Sequence, residues 1–388
     1  MIESQKHDPI EGEIQDSLID LIEDDPSDMT IILTERERIG VPQPSSNPTI
    51  EEKKAIVQQV KARIKTMIDE DIPFFTMDRI RDVHEQVQKC MAQGGKGDVF
   101  VEGLDGIVVR FRLQIGKKYD WADAISVKPV IEYASLLQLT SDKWVEHLDP
   151  ELAYCNLVVY HKVLDLDKER RKAAKARYAS VPREVVERDF DRNLHEWMTS
   201  EQCTQLKSLD ILREDASRIK KIVAFACGSV THFKERSRGR SCYQHGLIKT
   251  LRDMLIQARH DDINLTKEQR DEQIQCFIQD PAYTDIDRKV LQDDYGIATI
   301  IDNPEGFLEV DDSTLVLSFS PNVPVRQVVV DIAKPAVMIW DRVWKDFKET
   351  TDPESIRVRS VIDGLYDQIE FPADEDHFGD IAIYRRRA

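Results

Sequence analysis

The sequence lacks the features that mark a secreted, membrane-spanning or hydrolytic protein. No stretch approaches the roughly 18 consecutive apolar residues that span a bilayer, and the acidic N-terminus has no apolar signal-peptide core. None of the six cysteines belongs to a CxxC pair, which favours a reducing compartment, cytoplasm or nucleus, over a disulfide scaffold. Neither the nucleophile motif GxSxG nor the phosphate-loop spacing GxxxxGK[ST] occurs, so hydrolase and P-loop chemistry have no support.

Acidic residues dominate the charge of the chain. Its 388 residues include 72 acidic and 54 basic side chains, a net charge of −18, which disfavours nucleic acid as a general partner. Residues 1–50 hold 12 acidic and 3 basic side chains and almost no aromatic ones. Such a segment cannot bury enough apolar area to offset its ordering entropy, so the composition predicts a disordered acidic tail.

Residues 51–214 show helical periodicity broken by one hairpin pattern. Helical spacing begins at residue 50 and again over 77–91, and alternating runs at 99–101 and 107–112 flank a glycine turn. We therefore predict an α+β accessory region over 51–165. A charged helical connector follows over 166–214. Its basic run at 168–177 could contact RNA or act as an import signal, but a solvated helix is the simpler interpretation.

Residues 215–388 change to short apolar runs separated by helical or polar stretches. The runs lie at 222–226, 276–279, 298–301, 314–318 and 336–340, and one amphipathic helix lies at 242–258. Nearly all-apolar strands that alternate with helices indicate a parallel sheet covered on both faces. The sequence thus predicts an α/β fold, a Rossmann-like and mainly parallel sheet with helices on both faces.

Small and polar residues follow each predicted strand at its carboxyl end, where ligands bind in such sheets. Arg236 and Arg238 lie in the segment before the helix, where basic side chains and a helix N-terminus favour an anion. Acids at these positions also cap helices, so a structural role stays open for each. The candidate ligand-binding residues are Cys227, Gly228, Ser229, Arg236, Arg238, Asp280, Pro281, Asp302, Pro321, Asn322 and Asp341.

Several short motifs in this half resemble the SRR-like domain, a family named after the plant protein "sensitivity to red light reduced". They are VAFACGS at 223–229, SCYQ at 241–244, QDPAYT at 279–284, SPNVP at 320–324 and FGDIA at 378–382. The resemblance covers about residues 215–385 and adds Gln244 to the candidate set, and the long acidic N-terminal part resembles fungal members. It implies a regulatory or adaptor protein, of the kind linked with circadian or stress signalling, and no established reaction comes with it.

The chain departs from the family pattern at two turns. The family's Gly-Leu-Gly after the first strand is Ala226-Cys227-Gly228 here, and its Pro-His-Cys after the fourth is Pro321-Asn322-Val323. A histidine-dependent chemistry at the fourth strand would therefore be missing. We expect a protein partner or a small anionic ligand at the carboxyl edge, and the residues favour binding over catalysis.

Two alternatives stay open from the residues. A methyltransferase fold has the same alternation, and Asp280 could hydrogen-bond a ribose, so S-adenosylmethionine or a nucleotide are candidate cofactors; the resemblance to the SRR-like family adds haem. A non-catalytic scaffold is the second alternative. Cys227, His232, Cys242 and His245 are ligand types for zinc, but their spacing fits no compact zinc module, so we predict no metal.

Overall fold

The computed structural model describes residues 30–40, 48–167, 169, 181–209, 211–344, 352–372 and 374–387. The strands are β1 (Thr30–Leu33), β2 (Glu35–Arg38), β3 (Lys96–Glu102), β4 (Val108–Gln114), β5 (Lys118–Tyr119), β6 (Ala124–Tyr133), β7 (Leu157–Asp165), β8 (Lys221–Phe225), β9 (Gln275–Gln279), β10 (Thr299–Ile300), β11 (Thr314–Ser318), β12 (Val337–Asp341), β13 (Tyr366–Glu370) and β14 (Ile381–Arg386). The helices are α1 (Ile50–Asp69), α2 (Met77–Ala92), α3 (Leu136–Thr140), α4 (Arg183–Thr199), α5 (Glu201–Ser208), α6 (Glu235–Asp261), α7 (Lys267–Asp271), α8 (Asp285–Asp287), α9 (Glu305–Leu308), α10 (Val325–Ile332) and α11 (Ile356–Leu365), with a 3-10 turn at Asp142–His147 and a π-helical turn at Arg288–Asp294.

The five apolar runs form one mostly parallel sheet. Its order is β10-β9-β8-β11-β12-β14-β13, and the five strands β8 to β12 all run parallel to one another. Their placement confirms the strand predictions to within about one residue at each end. β14 pairs antiparallel with both β12 and β13, an edge hairpin that the apolar pattern does not reveal because β13 is largely exposed.

Both faces of this sheet are buried, because its strands carry apolar side chains at successive positions. On one face, Ile222, Ala224 and Leu317 share a core with residues of α4, α5 and α6. On the other face, Val223, Phe225 and Trp340 share a core with α10, α11 and the accessory region. The prediction of helices on both faces is thus confirmed.

The accessory region consists of two antiparallel sheets packed with α1 and α2. The predicted hairpin is present as β3 and β4, and it forms a sheet of order β2-β4-β3. The second sheet has the order β1-β7-β6-β5. α1 and α2 begin at the side-chain caps Thr49 and Thr76, as expected for residues whose oxygen accepts an orphan helical N–H.

Two boundary predictions are wrong. Residues 30–38, assigned to a disordered tail, form β1 and β2, which pair with β7 and β4; partners more than 70 residues away supply the pairing that local composition does not show. Residues 183–208, assigned to a charged helical connector, are helical as α4 and α5, but Phe190, Trp197 and Leu206 are fully buried beside the parallel sheet, so these helices belong to its core. Residues 1–29 and the basic run, apart from residue 169, lie outside the described residues.

The predicted helix at 242–258 is also longer than its apolar stripe. α6 begins at Glu235, so Arg236 and Arg238 lie in its first turns and not in a loop. Among the described residues, no helix combines the length and the apolar character needed to cross a membrane.

Candidate functional site

The candidate site lies where β8 and β11, the two central strands, end side by side. The chain leaves β8 toward β9 on one side of the sheet order and returns to β11 on the other. Hydrogen bonds hold the strands to their last residues, from Phe319 N to Phe225 O at 3.3 Å and from Ala226 N to Gln279 O at 3.1 Å. Beyond these bonds lie the turns at 226–229 and 320–322, and the carboxyl edge between them, where a doubly wound sheet has its crevice, is called the β8/β11 crevice.

Both turns begin with a non-glycine residue in the left-handed region. Ala226 has a φ of 57° and Ser320 a φ of 48°. For such residues this conformation costs about 1–2 kcal/mol. Strain of this kind persists only where surrounding structure enforces it, and it concentrates at functional sites. Neither residue type signals this geometry in a sequence, so only the structure reveals it.

Gly228, in the turn after β8, contacts Asp280, which follows β9. The Gly228 N–H donates to Asp280 Oδ2 at 2.8 Å, and the Ala282 N–H donates to Asp280 Oδ1 at 2.9 Å. Gly228 has a φ of 67°, and a Cβ there would lie 2.6 Å from Ser241 Oγ. Burial raises the pKa of Asp280, while the two backbone donors lower it. Asp280 therefore fixes the shape of the glycine turn.

Ser229 braces the same turn from the opposite side. Its hydroxyl lies 3.0 and 2.8 Å from the two carboxylate oxygens of Asp287 and 2.7 Å from Thr231 Oγ1. The Val230 N–H also donates to Asp287 Oδ1 at 2.8 Å. Thr284 caps α8 with Asp287 three residues on, as predicted. The capping signature is visible in the sequence, but the bracing role of Asp287 is not.

Cys227 starts a buried chain of polar groups. Its thiol is hydrogen-bonded to Tyr283. The Tyr283 hydroxyl lies 2.8 Å from His245 Nε2, and His245 Nδ1 lies 2.6 Å from Ser241 O. Burial lowers the pKa of His245 to about 4 and raises that of Cys227 well above its usual value. His245 is therefore neutral, with Nδ1–H donating to the carbonyl and Nε2 accepting from tyrosine. Both ring nitrogens serve the framework.

Arg236 and Arg238 both line one cavity, but each of them is paired with a different acid. Residues two apart on a helix do not face each other. Arg238 is buried and donates from Nε and Nη2 to Asp189 Oδ2, at 3.0 and 2.7 Å. Arg236 is exposed and pairs with Asp376 at 3.0 Å. The prediction that these two arginines lie on a loop is wrong, because both lie within α6.

The remaining candidates divide between the surface and the framework. Pro281, Asp302 and Asn322 are exposed at the strand ends, while Pro321 is buried. Gln244 is buried, and its Nε2 donates to His377 O at 3.0 Å. Asp341 is half-buried and bonds with Ser320; burial raises its pKa, and the Arg326 guanidinium lowers it.

A cavity of about 330 Å³ opens on the outer side of the first turns of α6. Its walls include both predicted arginines, Arg236 and Arg238, together with Glu235, Asp376 and His377, and do not include Gly228, Asp280 or Asn322. The charged side chains that line it are of both signs, and several form ion pairs with one another. The cavity is therefore separate from the β8/β11 crevice.

The comparisons with known proteins place this fold in one family. Residues 193–384 match the family model described as the SRR1 domain. The matched span begins within α4 and ends within β14, so it contains the whole parallel sheet. No curated protein and no solved structure matches the chain.

Proposed function

Since residues 193–384 form an SRR1 domain, we propose that this chain is a regulatory protein of the cytoplasm or nucleus that binds a small anionic ligand. The ligand lies in the β8/β11 crevice at the carboxyl edge of the sheet. The regulatory part of the proposal rests on the SRR-like resemblance, and the binding part on the geometry of the crevice.

The strand order supports a Rossmann-like site. Counted along the chain, the five parallel strands lie in the order 3-2-1-4-5. In doubly wound sheets of this order, ligands bind at the carboxyl ends of the strands where the order reverses, here between β8 and β11. Asp280, which follows the second strand, occupies the position of the acid that bonds a ribose in such sheets.

The observation that carries the proposal is the strain at the crevice. Ala226 and Ser320 are two of the four non-glycine residues with positive φ among those the structure describes. Ala226 directly follows β8 and Ser320 is the second residue after β11, the two strands that flank the reversal. Two strained turns at the same place on the carboxyl edge of the sheet support a ligand site that is pre-organised before binding.

The environment of the reactive side chains supports binding over catalysis. Cys227 and His245 are buried and hydrogen-bonded within the framework. Burial raises the pKa of Cys227 and lowers the pKa of His245, so that both side chains are neutral. A nucleophile or general base needs access and a pKa near the working pH.

The test uses ATP as the anionic probe, isothermal titration calorimetry, and the substitution Ala226→Gly. Glycine accepts a φ of 57° without penalty. We expect an unfolding free energy that is unchanged or raised by up to about 1 kcal/mol, together with at least tenfold weaker ATP binding.

The matched control is Asp123→Gly. Asp123 has a φ of 45° and follows β5 in the accessory region, so it should gain stability without changing ATP affinity. Equal ATP binding by wild type and the Ala226 variant, or no ATP binding by wild type, would overturn the proposal.

One observation favours a second candidate, a methyltransferase-like enzyme. The last strand, β14, runs antiparallel between β12 and β13, which gives the sheet order associated with S-adenosylmethionine-dependent methyltransferases. Fold likeness alone does not assign a reaction. Tight binding of S-adenosylmethionine, displaced by S-adenosylhomocysteine and not by ATP, would favour this candidate. Failure of all three ligands to bind would favour a scaffold.

A further inference from the structure

The cavity of about 330 Å³ beside the first turns of α6 is walled by α4, by α6 and by the turn at 376–377, and is called the α4/α6 cavity. Its volume lies at the small end of the range for small-molecule sites, about 300–1,000 Å³. Its buried wall is an ion pair in which Arg238 donates to Asp189 Oδ2 at 3.0 and 2.7 Å. Arg238 Nη1 also donates to His232 O at 2.8 Å. Because this guanidinium is satisfied within the fold, recognition of a ligand falls to the other lining groups.

Asn193 of α4 supplies an acceptor without a donor in the wall of this cavity. The residue is more than nine-tenths buried, and its Nδ2 donates to Asp189 O at 2.6 Å. Among the residues that the structure describes, no group donates to Asn193 Oδ1. Gly239 lines the cavity beside it, and a Cβ at Gly239 would lie 3.3 Å from Asn193 Oδ1. The glycine therefore leaves this oxygen open to a donor from a ligand.

Glu196 supplies a second acceptor on the same helix. It lies three residues after Asn193, so the two side chains share one side of α4, and both line the cavity. Glu196 is exposed, and its carboxylate forms no ion pair or hydrogen bond within the described part of the chain. An amide oxygen and a carboxylate that both lack donors suit an ammonium group, which has three N–H donors and no acceptor.

Two further arginines line the cavity and are held only weakly. Arg192 Nη2 lies 3.4 Å from both Asp189 Oδ1 and Glu235 Oε1, longer than the roughly 2.7–2.9 Å of a charge-assisted hydrogen bond. Arg236 pairs with Asp376 at 3.0 Å, but their side chains are 82% and 79% exposed, and such surface pairs contribute little. Arg192 and Arg236 can therefore turn to a carboxylate of a ligand without breaking a strong contact.

The remaining features of the lining favour an additional positive charge on the ligand. His377 lines the cavity, and its imidazole stacks on Tyr243 with ring centroids 3.6 Å apart and planes 5° apart. A rigid aromatic wall of this kind is a surface on which a guanidinium packs. Acids also outnumber bases in the lining by one: the acids are Asp189, Glu196, Glu235 and Asp376, and the bases are Arg192, Arg236 and Arg238.

We propose that the α4/α6 cavity binds a zwitterionic α-amino acid with a basic side chain, of the arginine type. The ammonium group of the ligand donates to Asn193 Oδ1 and to Glu196. Its carboxylate accepts from Arg192 and Arg236, and its guanidinium packs against His377. Groups of both signs in the lining thus meet groups of both signs on the ligand. This site is separate from the β8/β11 crevice, so the inference adds a second ligand to the function proposed above.

The first test compares three ligands by isothermal titration calorimetry on the full chain at neutral pH and low salt. The probe is L-arginine; agmatine lacks its carboxylate, and Nα-acetyl-L-arginine lacks its α-ammonium group. We expect wild type to bind L-arginine and to bind each analogue at least tenfold more weakly. Absence of L-arginine binding, or equal binding of L-arginine and either analogue, would overturn the inference.

The second test uses variants whose folding should be intact. Glu196→Gln removes a charge that no described residue pairs with, so its urea midpoint should equal that of wild type while L-arginine binds at least fivefold more weakly. Gly239→Ala places a methyl group beside Asn193 Oδ1 and should weaken binding similarly. Glu184→Gln is the matched control, because Glu184 is an exposed acid of α4 outside the cavity. L-arginine affinity that is the same in Glu196→Gln and Glu184→Gln would contradict the site.

The two proposals can fail separately. L-arginine binding that depends on Glu196, with no ATP binding by wild type, would sustain the α4/α6 cavity and overturn the crevice. L-arginine binding that is weakened by Ala226→Gly and not by Glu196→Gln would place this ligand at the crevice and overturn the inference.

Discussion

At the scale of single residues, the polar side chains of the carboxyl edge mainly hold the framework. Asp280 holds Gly228, Asp287 holds Ser229, and Asp189 holds Arg238, each through bonds of 2.7–3.0 Å. Buried polar groups require such partners, since an unsatisfied one costs about 1–3 kcal/mol. A residue type typical of binding sites therefore does not by itself identify a ligand contact.

His245 gives the fold a calculable dependence on pH. Its pKa is about 4 in the folded chain and 6.5 when unperturbed, so the unfolded state binds the extra proton between these values. The stability it contributes is present above pH 6.5 and is lost as the pH falls toward 4, by roughly 3 kcal/mol in all. We expect urea midpoints at pH 7 and pH 5 to differ less in His245→Gln than in wild type.

Two other histidines set the size of the effect expected for His245→Gln. His161 is also buried with a pKa lowered to about 4, so His245→Gln should retain part of the slope. His260→Gln, at an exposed position near the end of α6, should retain all of it. An unchanged slope in His245→Gln would contradict the buried neutral imidazole.

At the scale of elements, one carboxylate joins the accessory region to the parallel sheet. Asp331 of α10 is almost fully buried, and its Oδ2 accepts from the N–H groups of Phe74 and Phe75 at 2.8 and 3.0 Å. Its Oδ1 pairs with Arg357 of α11, which also contacts Asp71 at 3.0 Å. The segment between α1 and α2 is thus fixed to two helices of the other region.

Asp331→Ala should loosen that junction. It leaves two buried N–H groups and one guanidinium without their carboxylate, and breaking a buried pair in this way costs about 3–5 kcal/mol. We expect faster hydrogen–deuterium exchange over residues 70–76 and a lower urea midpoint. Asp367→Ala, which removes the exposed pair with Arg387, should change stability by about 1 kcal/mol or less. Equal exchange in the two variants would contradict the role of Asp331.

At the scale of the whole molecule, the accessory region and the parallel sheet share one hydrophobic core. Tyr133 packs against Phe75 and Phe307, with ring centroids 6.1 and 4.9 Å away, and Phe307 stacks on Phe225 of the central strand at 4.8 Å. A continuous core of this kind couples the stability of the two regions. In this chain the N-terminal half therefore covers part of one face of the parallel sheet.

Separating the halves should expose this dependence. A fragment of residues 181–387 would leave Phe307 and its neighbours uncovered, and such a surface promotes association or loose packing. We expect the fragment to bind the dye ANS and to lose near-ultraviolet circular dichroism. The full chain should unfold in one urea transition that coincides by tryptophan fluorescence and far-ultraviolet circular dichroism. A fragment with a sharp, native-like transition would contradict the shared core.

Features that short stretches of sequence encode were predictable, and features that depend on distant contacts were not. The five parallel strands were predictable because each is an apolar run bounded by polar turns, and α1 and α2 because their apolar spacing and threonine caps are local. β13 was missed because a largely exposed edge strand has no continuous apolar run, whereas β14 carries a buried apolar run over 381–384 that the sequence prediction did not assign to a strand. The family was also predictable, from short motifs in a fixed order.

The site was only partly predictable. The positions of Gly228 and Asp280 at the strand ends follow from the alternation of strands and helices, and their contact supports the expected geometry. The roles of Arg236, Arg238 and Gln244 did not follow, because they depend on which side of α6 meets α4 and the turn at 376–377.

The sequence by itself determined the mixed α/β class, the parallel strands and the SRR1 domain, since burial of apolar side chains and local capping are encoded within short windows. Tertiary structure alone decided the left-handed turns at Ala226 and Ser320, the cavity between α4 and α6, and the common core of both halves. Each of these depends on contacts between residues far apart in the chain, whose register is set by packing and not by local preference.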